Sequence, residues 1–213
     1  MEIILKGVTK TFQESDSKRL IFENTSIQFP QSDISVVLGR SGVGKSSLLN
    51  LISGIDLPDS GTVRVGNLDV SRMSDDKRSL FRRRHVGFIY QFFNLIPVLT
   101  VLENVLLVAE LDGKTSSETM DRAKFLLDHV GILDRSDQYP DRLSGGEQQR
   151  VAIVRALVNE PDIILADEPT GNLDVHTGGK VLEMIAALVE QEKKTLVMVT
   201  HSSEALGFAN GVY

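Results

Sequence analysis

Ser35-Val36-Val37-Leu38 runs directly into Gly39-Arg40-Ser41-Gly42-Val43-Gly44-Lys45-Ser46, and this stretch decides the fold. The first four residues form a short apolar, β-branched run, the pattern of a buried strand in a parallel sheet. The next eight fit the phosphate-binding loop G-x-x-x-x-G-K-S/T. Its glycines let the backbone curl until successive N–H groups aim at one anion, and the following helix adds its positive dipole end. That helix is predicted from Lys45 through Ile52, apolar at helical spacing and closed by Gly54. Gly39, Arg40, Ser41, Gly42, Val43, Gly44, Lys45, Ser46 and Ser47 are therefore candidate nucleotide-binding residues. Lys45 would reach the β- and γ-phosphates as a point charge, and the Ser46 hydroxyl would ligate Mg²⁺.

Upstream of this loop, Ile3, Leu5 and Val8 and then Ile21-Phe22 and Ile27-Gln28-Phe29 alternate as strands do, with polar Gln13 to Arg19 expected as a solvated loop between them. Downstream, Pro58-Asp59-Ser60-Gly61 and Gly66-Asn67 signal turns around the alternating Val63 and Val65. From about Phe92 to Arg150 helical patterns take over: Leu99 to Leu111, Ser117 to Val130, and Glu147 to Val158. Arg82-Arg83-Arg84 before them is either a functional basic run or a solvated helix end. Strand signals return at Asp162 to Ala166 and at Thr195 to Thr200, with an amphipathic helix expected from Gly179 to Lys193 between them. Strand, helix, strand at this spacing is a parallel unit with a right-handed crossover. The fold class is α/β: a phosphate-loop core on a mostly parallel sheet, an N-terminal antiparallel β part, and an inserted helical part at about 92–150 within one domain spanning 1–213.

Two further segments carry chemistry. Ile163-Ile164-Leu165-Ala166 ends in Asp167-Glu168, and a strand delivers such carboxylates to the carboxyl edge of the sheet, where α/β ligands bind. Asp167 is placed to hold Mg²⁺ through water, and Glu168 to orient or deprotonate an attacking water; alone, the pair could simply solvate a strand end. Leu143-Ser144-Gly145-Gly146-Glu147 opens a helix. It reads both as an anion-binding helix terminus and as a capping box with Ser144 and Glu147 as partners.

The phosphate loop, Gln91 after an apolar strand, Leu-Ser-Gly-Gly-Glu, Ile-Leu-Ala-Asp-Glu and His201 follow one another in this order over nearly the whole chain. Together they resemble the ATP-binding cassette family of transporter ATPases. The resemblance implies ATP and Mg²⁺ as ligands and a head-to-tail pair of subunits. In such a pair Ser144, Gly145 and Gly146, followed by Glu147, would meet the γ-phosphate held by the partner's loop. It also implies that Phe12 stacks on adenine, unless it is a core aromatic, and that Gln91 touches Mg²⁺ and the attacking water. Asp174 would support the opposite site, and His201 would bond the γ-phosphate. Glu147 stands where glutamine is commoner and Ser202 where an acidic residue is, and after Gly211-Val212-Tyr213 another strand and a terminal segment are expected. Phe92 to Leu99, in Phe-Asn-Leu-Ile-Pro wording, resembles the branch that includes lipoprotein release, macrolide efflux and antimicrobial-peptide export. Amino-acid importers and cell-division complexes share much of it.

Composition narrows the partners. The 213 residues hold no cysteine, which excludes disulfides, zinc-thiolate modules and cysteine nucleophiles. A net charge of −6 argues against a dedicated nucleic-acid surface. Apolar runs such as Val105 to Ala109 fall short of the ~20 residues a membrane span needs. The expected setting is cytoplasmic, on the inner face of the cell membrane and docked on separate permease subunits. The Phe92 to Leu99 segment would be part of that contact or would pack within the helical part. A non-transport cassette ATPase is the competing class, but those usually carry two cassettes, a coiled-coil insertion or zinc modules. A phosphate-loop kinase or GTPase would leave Leu-Ser-Gly-Gly-Glu unexplained.

Overall fold

The computed structural model describes residues 1–14 and 17–213. Strands β1 (Ile3–Glu14), β2 (Ser17–Phe29), β4 (Ser60–Val65) and β5 (Leu68–Asp69) form an antiparallel sheet in the order β2-β1-β4-β5. Strands β3 (Ile34–Leu38), β6 (Val86–Tyr90), β7 (Ile163–Asp167), β8 (Thr195–Thr200) and β9 (Gly211–Val212) form a second sheet, β6-β7-β8-β3-β9, parallel throughout. Helix α1 (Lys45–Ser53) follows β3, and α6 (Val175–Gln191) crosses from β7 to β8. Helix α2 (Asp75–His85) precedes β6, and α3 (Val101–Leu111), α4 (Ser117–His129) and α5 (Gly145–Leu157) lie between β6 and β7 in sequence. The chain is α/β, as its patterning predicts.

The parallel strands are buried on both faces, so they read as continuous apolar runs and yet serve two cores. Ile164, Ala166, Leu196 and Met198 join the helices α3 to α6 on one face. Ile163, Leu165, Val197 and Val199 point the other way, onto α1 and the antiparallel sheet. At ~0.8 kcal/mol per buried CH₂, these alternating side chains weld sheet, helices and β part together.

Several boundaries and one helix differ from expectation. The polar run at 13–19 is mostly strand: Phe12 pairs with Arg19 and Gln13 with Lys18, and residues 15–16 of that run lie outside the described residues. Polar side chains suit the solvated face of a sheet, so composition alone mistook strand for loop. Helix α6 begins at Val175, four residues before the expected Gly179, because Asp174 caps it by accepting from the Thr177 N–H at 3.0 Å. Helix α2 has only Phe81 buried and so lacks the apolar periodicity that would reveal it; its last turn, Arg82 to His85, is the basic run seen in the sequence.

Gly87 on β6 fits because α5 crosses directly over it. A Cβ there would come within 2.3 Å of the Ala156 carbonyl oxygen, which helix backbone cannot vacate. Gly87→Ala should therefore lower stability by about 1–3 kcal/mol, read as the shift in urea midpoint at unchanged slope.

Candidate nucleotide-binding site

The register of the parallel sheet assembles the site. Tyr90 pairs with Asp167, Asp167 with Val199, and Leu38 with Thr200, so the residues that follow these strands emerge along one edge. A cavity of about 500 Å³ opens there, within the range of small-molecule sites. Ser41, Gly42, Gly44, Lys45, Ser46 and Ser47 line it from the phosphate loop. Phe12 stands at one side, with Gln91, Asp167 and Glu168 at the other. Gly39, Arg40 and Val43 do not line it. The first two supply carbonyls to Lys45, and the Val43 side chain is 54% exposed on the outside of the loop.

The loop keeps its curl through glycine geometry. Gly44 has φ 103°, a value L side chains rarely adopt, and a Cβ there would lie 2.4 Å from Ile21 on β2. Lys45 is buried, its ammonium donating to the Gly39 carbonyl at 2.6 Å and the Arg40 carbonyl at 3.2 Å, and standing 3.2 Å from Glu168 Oε1.

Glu168 is the hub. Its other oxygen accepts from the Thr200 hydroxyl at 3.1 Å and the His201 backbone N–H at 3.1 Å, and lies 2.8 Å from His201 Nδ1. A carboxylate only accepts, so Nδ1 carries the proton in this contact. Burial alone would raise the Glu168 pKa, but the bonds from His201, Lys45 and Thr200 outweigh it and hold the carboxyl below its ordinary value of 4.5. Its backbone sits at φ 47°, a strained conformation of the kind that accumulates at functional sites.

The remaining predicted residues fall into two places. His201 and Asp174 border a neighbouring hollow of about 220 Å³ that shares Glu168 with the cavity. Asp174 is engaged as the cap of α6, and its bonds from Thr177 keep its carboxyl low. Ser144, Gly145, Gly146 and Glu147 border neither space. They form the expected capping box: the Glu147 N–H donates to Ser144 Oγ at 3.3 Å, and the Ser144 N–H donates to Glu147 Oε2 at 2.8 Å. Bonds from the Ser144 hydroxyl and backbone lower the Glu147 pKa, and Arg135 lies 3.4 Å away.

Sequence reading missed several neighbours. Arg19 and Ile21 line the cavity from the stretch it placed in a loop or a plain strand. Arg19 donates to the Gly42 carbonyl at 2.5 Å. Its only signal was its position opposite Phe12 across the hairpin. Asn172, in the Gly171 to Asp174 loop that the resemblance already assigns to the dimer crossing, exchanges hydrogen bonds with Gln91, side chain to side chain at 3.3 Å and Asn172 Nδ2 to the Gln91 carbonyl at 2.9 Å. Thr200 gave no signal except its place one residue before His201.

Comparison with known proteins places the chain. The ABC transporter family model matches residues 22–171. An uncharacterized ABC transporter ATP-binding protein of Mycobacterium tuberculosis is 47% identical over 98% of this chain and 84% of its own length. The lipoprotein-releasing system ATP-binding protein LolD of Saccharophagus degradans is 41% identical over 97% and 91%. Among solved structures, the dimeric bacterial ABC transporter cassette MJ0796 superposes with a TM-score of 0.88 at 40% identity, covering 99% of this chain and 92% of that one. A post-hydrolysis state of the same cassette, bound to ADP and Pi, superposes equally well at 39% identity. The chain belongs to the ABC transporter family and is an ATP-binding cassette ATPase. Among the described residues, no helix is long and apolar enough to cross a membrane.

The ionised form of Glu168 is the one its neighbours stabilise. Because the folded pKa lies below the unfolded one, that contribution is complete above 4.5 and is lost as pH falls through the folded value. The stability gap between the wild type and Glu168→Gln, measured by urea unfolding, should narrow on acidification below pH 4.5; a constant gap would contradict the network.

Proposed function

We propose that the chain is the ATP-driven motor of a membrane transport system of the export or lipoprotein-release type, acting as a head-to-tail pair around two ATP molecules. The observation that carries this reading is the separation just described. One chain has a cavity lined by the phosphate loop and by its own carboxylates, and a second glycine-rich helix start, Ser144 to Gly146, that borders neither that cavity nor the hollow beside it. A second copy resolves this by presenting its Ser144 segment to the first copy's nucleotide. The helical part at 92–150 then belongs to the same functional unit as the rest of 1–213.

Within one site, Phe12 would stack on adenine and the loop amides with Lys45 would hold the phosphates. The donor set for Mg²⁺ fits. Ser46, Gln91 and Asp167 face the same cavity, and the Asp167 carboxylate has no hydrogen-bond or ion-pair partner among the described residues. Few protein ligands, with phosphate oxygens and water completing the shell, is the habit of this ion. When bound, Mg²⁺ would neutralise charge on the β- and γ-phosphates. A γ-phosphate arriving at Lys45 competes with Glu168 for the ammonium and frees Oε1 to take a proton from the attacking water. His201 would keep the other oxygen oriented through its Nδ1–H. Asp174 and the Gly171-Asn172 segment, joined to Gln91, would face the partner's site.

The membrane-side partner would be a permease. A groove of about 480 Å³ between α2, β6, α3 and α5 combines Leu107, Val108 and Leu111 with Arg82 and Arg83, and Ile96 stands at its rim. Phe92 and Val98 nearby are 72% and 79% exposed, whereas Leu95 packs on the helical core. The segment is thus divided between contact and core. Large exposed apolar side chains of this kind mark partner surfaces. Lipoprotein release is favoured by the likeness to LolD over most of both chains.

Glu168→Gln should retain ATP binding, lose about a hundredfold or more in hydrolysis, and accumulate a nucleotide-bound dimer on gel filtration; turnover at the wild-type rate would remove Glu168 from the role of base. Ser144→Ala should depress hydrolysis while leaving the monomer's own ATP affinity within about twofold; equal loss of both would place Ser144 in its own chain's site.

A further inference from the structure

Arg155 lies in the last turn of α5, far along the helix from the Ser144 segment and outside every motif. Its guanidinium reaches back to the loop after Gln91: Nη1 donates to the Asn94 carbonyl and Nη2 to the Phe93 carbonyl, both at 2.6 Å. These two residues have φ 50° and 56°. Neither is glycine, and a left-handed phenylalanine is a costly conformation that persists only where its surroundings impose it. The fork of Arg155 adds to the loop's own backbone bonds by holding both carbonyls in this conformation. Burial draws its pKa down, against the pull of the facing Tyr90. The conformation turns the Phe93 ring onto the second anion loop, where its Cζ lies 3.7 Å from the position a Cβ would take on Gly145. A second tie runs the same way. Gln149, buried on α5, donates to the Pro169 carbonyl at 2.7 Å, one residue beyond Glu168.

We propose that Arg155 is a positioning residue that locks the 91–94 loop to α5 through Phe93, so that Gln91 and the Ser144–Gly146 segment move as one body. Gln91 faces the nucleotide of its own chain, and Ser144 to Gly146 face the partner's. The lock therefore makes closure at one ATP dependent on closure at the other. This inference rests on the head-to-tail reading above. Without the fork, each loop could still bind or fold, but the two would no longer be held in a fixed relation. The expected signature is a split between binding and turnover, not a loss of both.

The test uses the full chain. Arg155→Gln and Phe93→Ala are compared with wild type for fluorescent-ATP affinity and steady-state ATPase. Each is then placed in the Glu168→Gln background for ATP-dependent dimerisation followed by light scattering. Affinity should stay within about twofold while kcat falls about tenfold or more and dimerisation needs about tenfold more protein, as misplacement of a catalytic group predicts. Arg155→Lys, which keeps charge but not the fork, should recover only part of kcat. If the Glu168→Gln parent itself fails to dimerise with ATP, the head-to-tail reading fails. If the parent dimerises, and both variants match the parent in dimerisation and the wild type in kcat, the lock is overturned. Should Arg155→Gln lose ATP affinity through misfolding, Phe93→Ala, which leaves α5 intact, decides the outcome.

Discussion

The parallel register of one sheet edge is the constraint on which everything else depends. Strands β6, β7, β8 and β3 are adjacent in space but scattered from residue 34 to residue 200 in the chain. Their carboxyl ends therefore bring Gln91, Asp167 with Glu168, His201 and the phosphate loop together. Antiparallel pairing would send alternate motifs to opposite ends. The two-sided burial of β7 and β8 fixes this register, because slipping by one residue would exchange the side chains that serve the two cores.

At that edge the charges are matched in advance. Lys45 and Glu168 are both largely buried, at 8% and 12% side-chain exposure. Burying one alone would be costly, so each compensates the other. In the proposed cycle the ion pair would serve less as a source of stability than as a latch between the phosphate loop and the acidic strand end. Thr200 and His201 would keep the carboxylate aimed once that latch opened.

Much of this was legible in the residues. The buried strands, the phosphate loop, the capping box at Ser144 and the acidic end of β7 all follow from local rules: apolar runs, glycine spacing and side-chain caps. What escaped reading depends on distant chain. Arg19 became a cavity residue only because β2 pairs with β1 in the register that sets it opposite Phe12. Helix α6 runs through Gly178 and Gly179 because its capped first turn packs beside Gly146, where a Cβ would meet Thr177 at 2.7 Å. Propensity opposes that helix start and packing overrides it. Helix α2 and Arg155 carry no pattern at all, since one is polar nearly throughout and the other acts through backbone carbonyls that any sequence supplies.

The central claim is that each nucleotide site is built from two chains arranged head to tail. The absence of cysteine makes a direct measurement possible, because every thiol introduced is the only one present. Chains carrying Ser41→Cys and chains carrying Ser144→Cys, both exposed positions, are mixed with ATP in the Glu168→Gln background and treated with a short bis-maleimide. A covalent dimer should form from the mixture, dependent on ATP, and none from either chain alone. A Ser144→Cys chain that links to itself, with no mixed product, would place like ends together and contradict the claim.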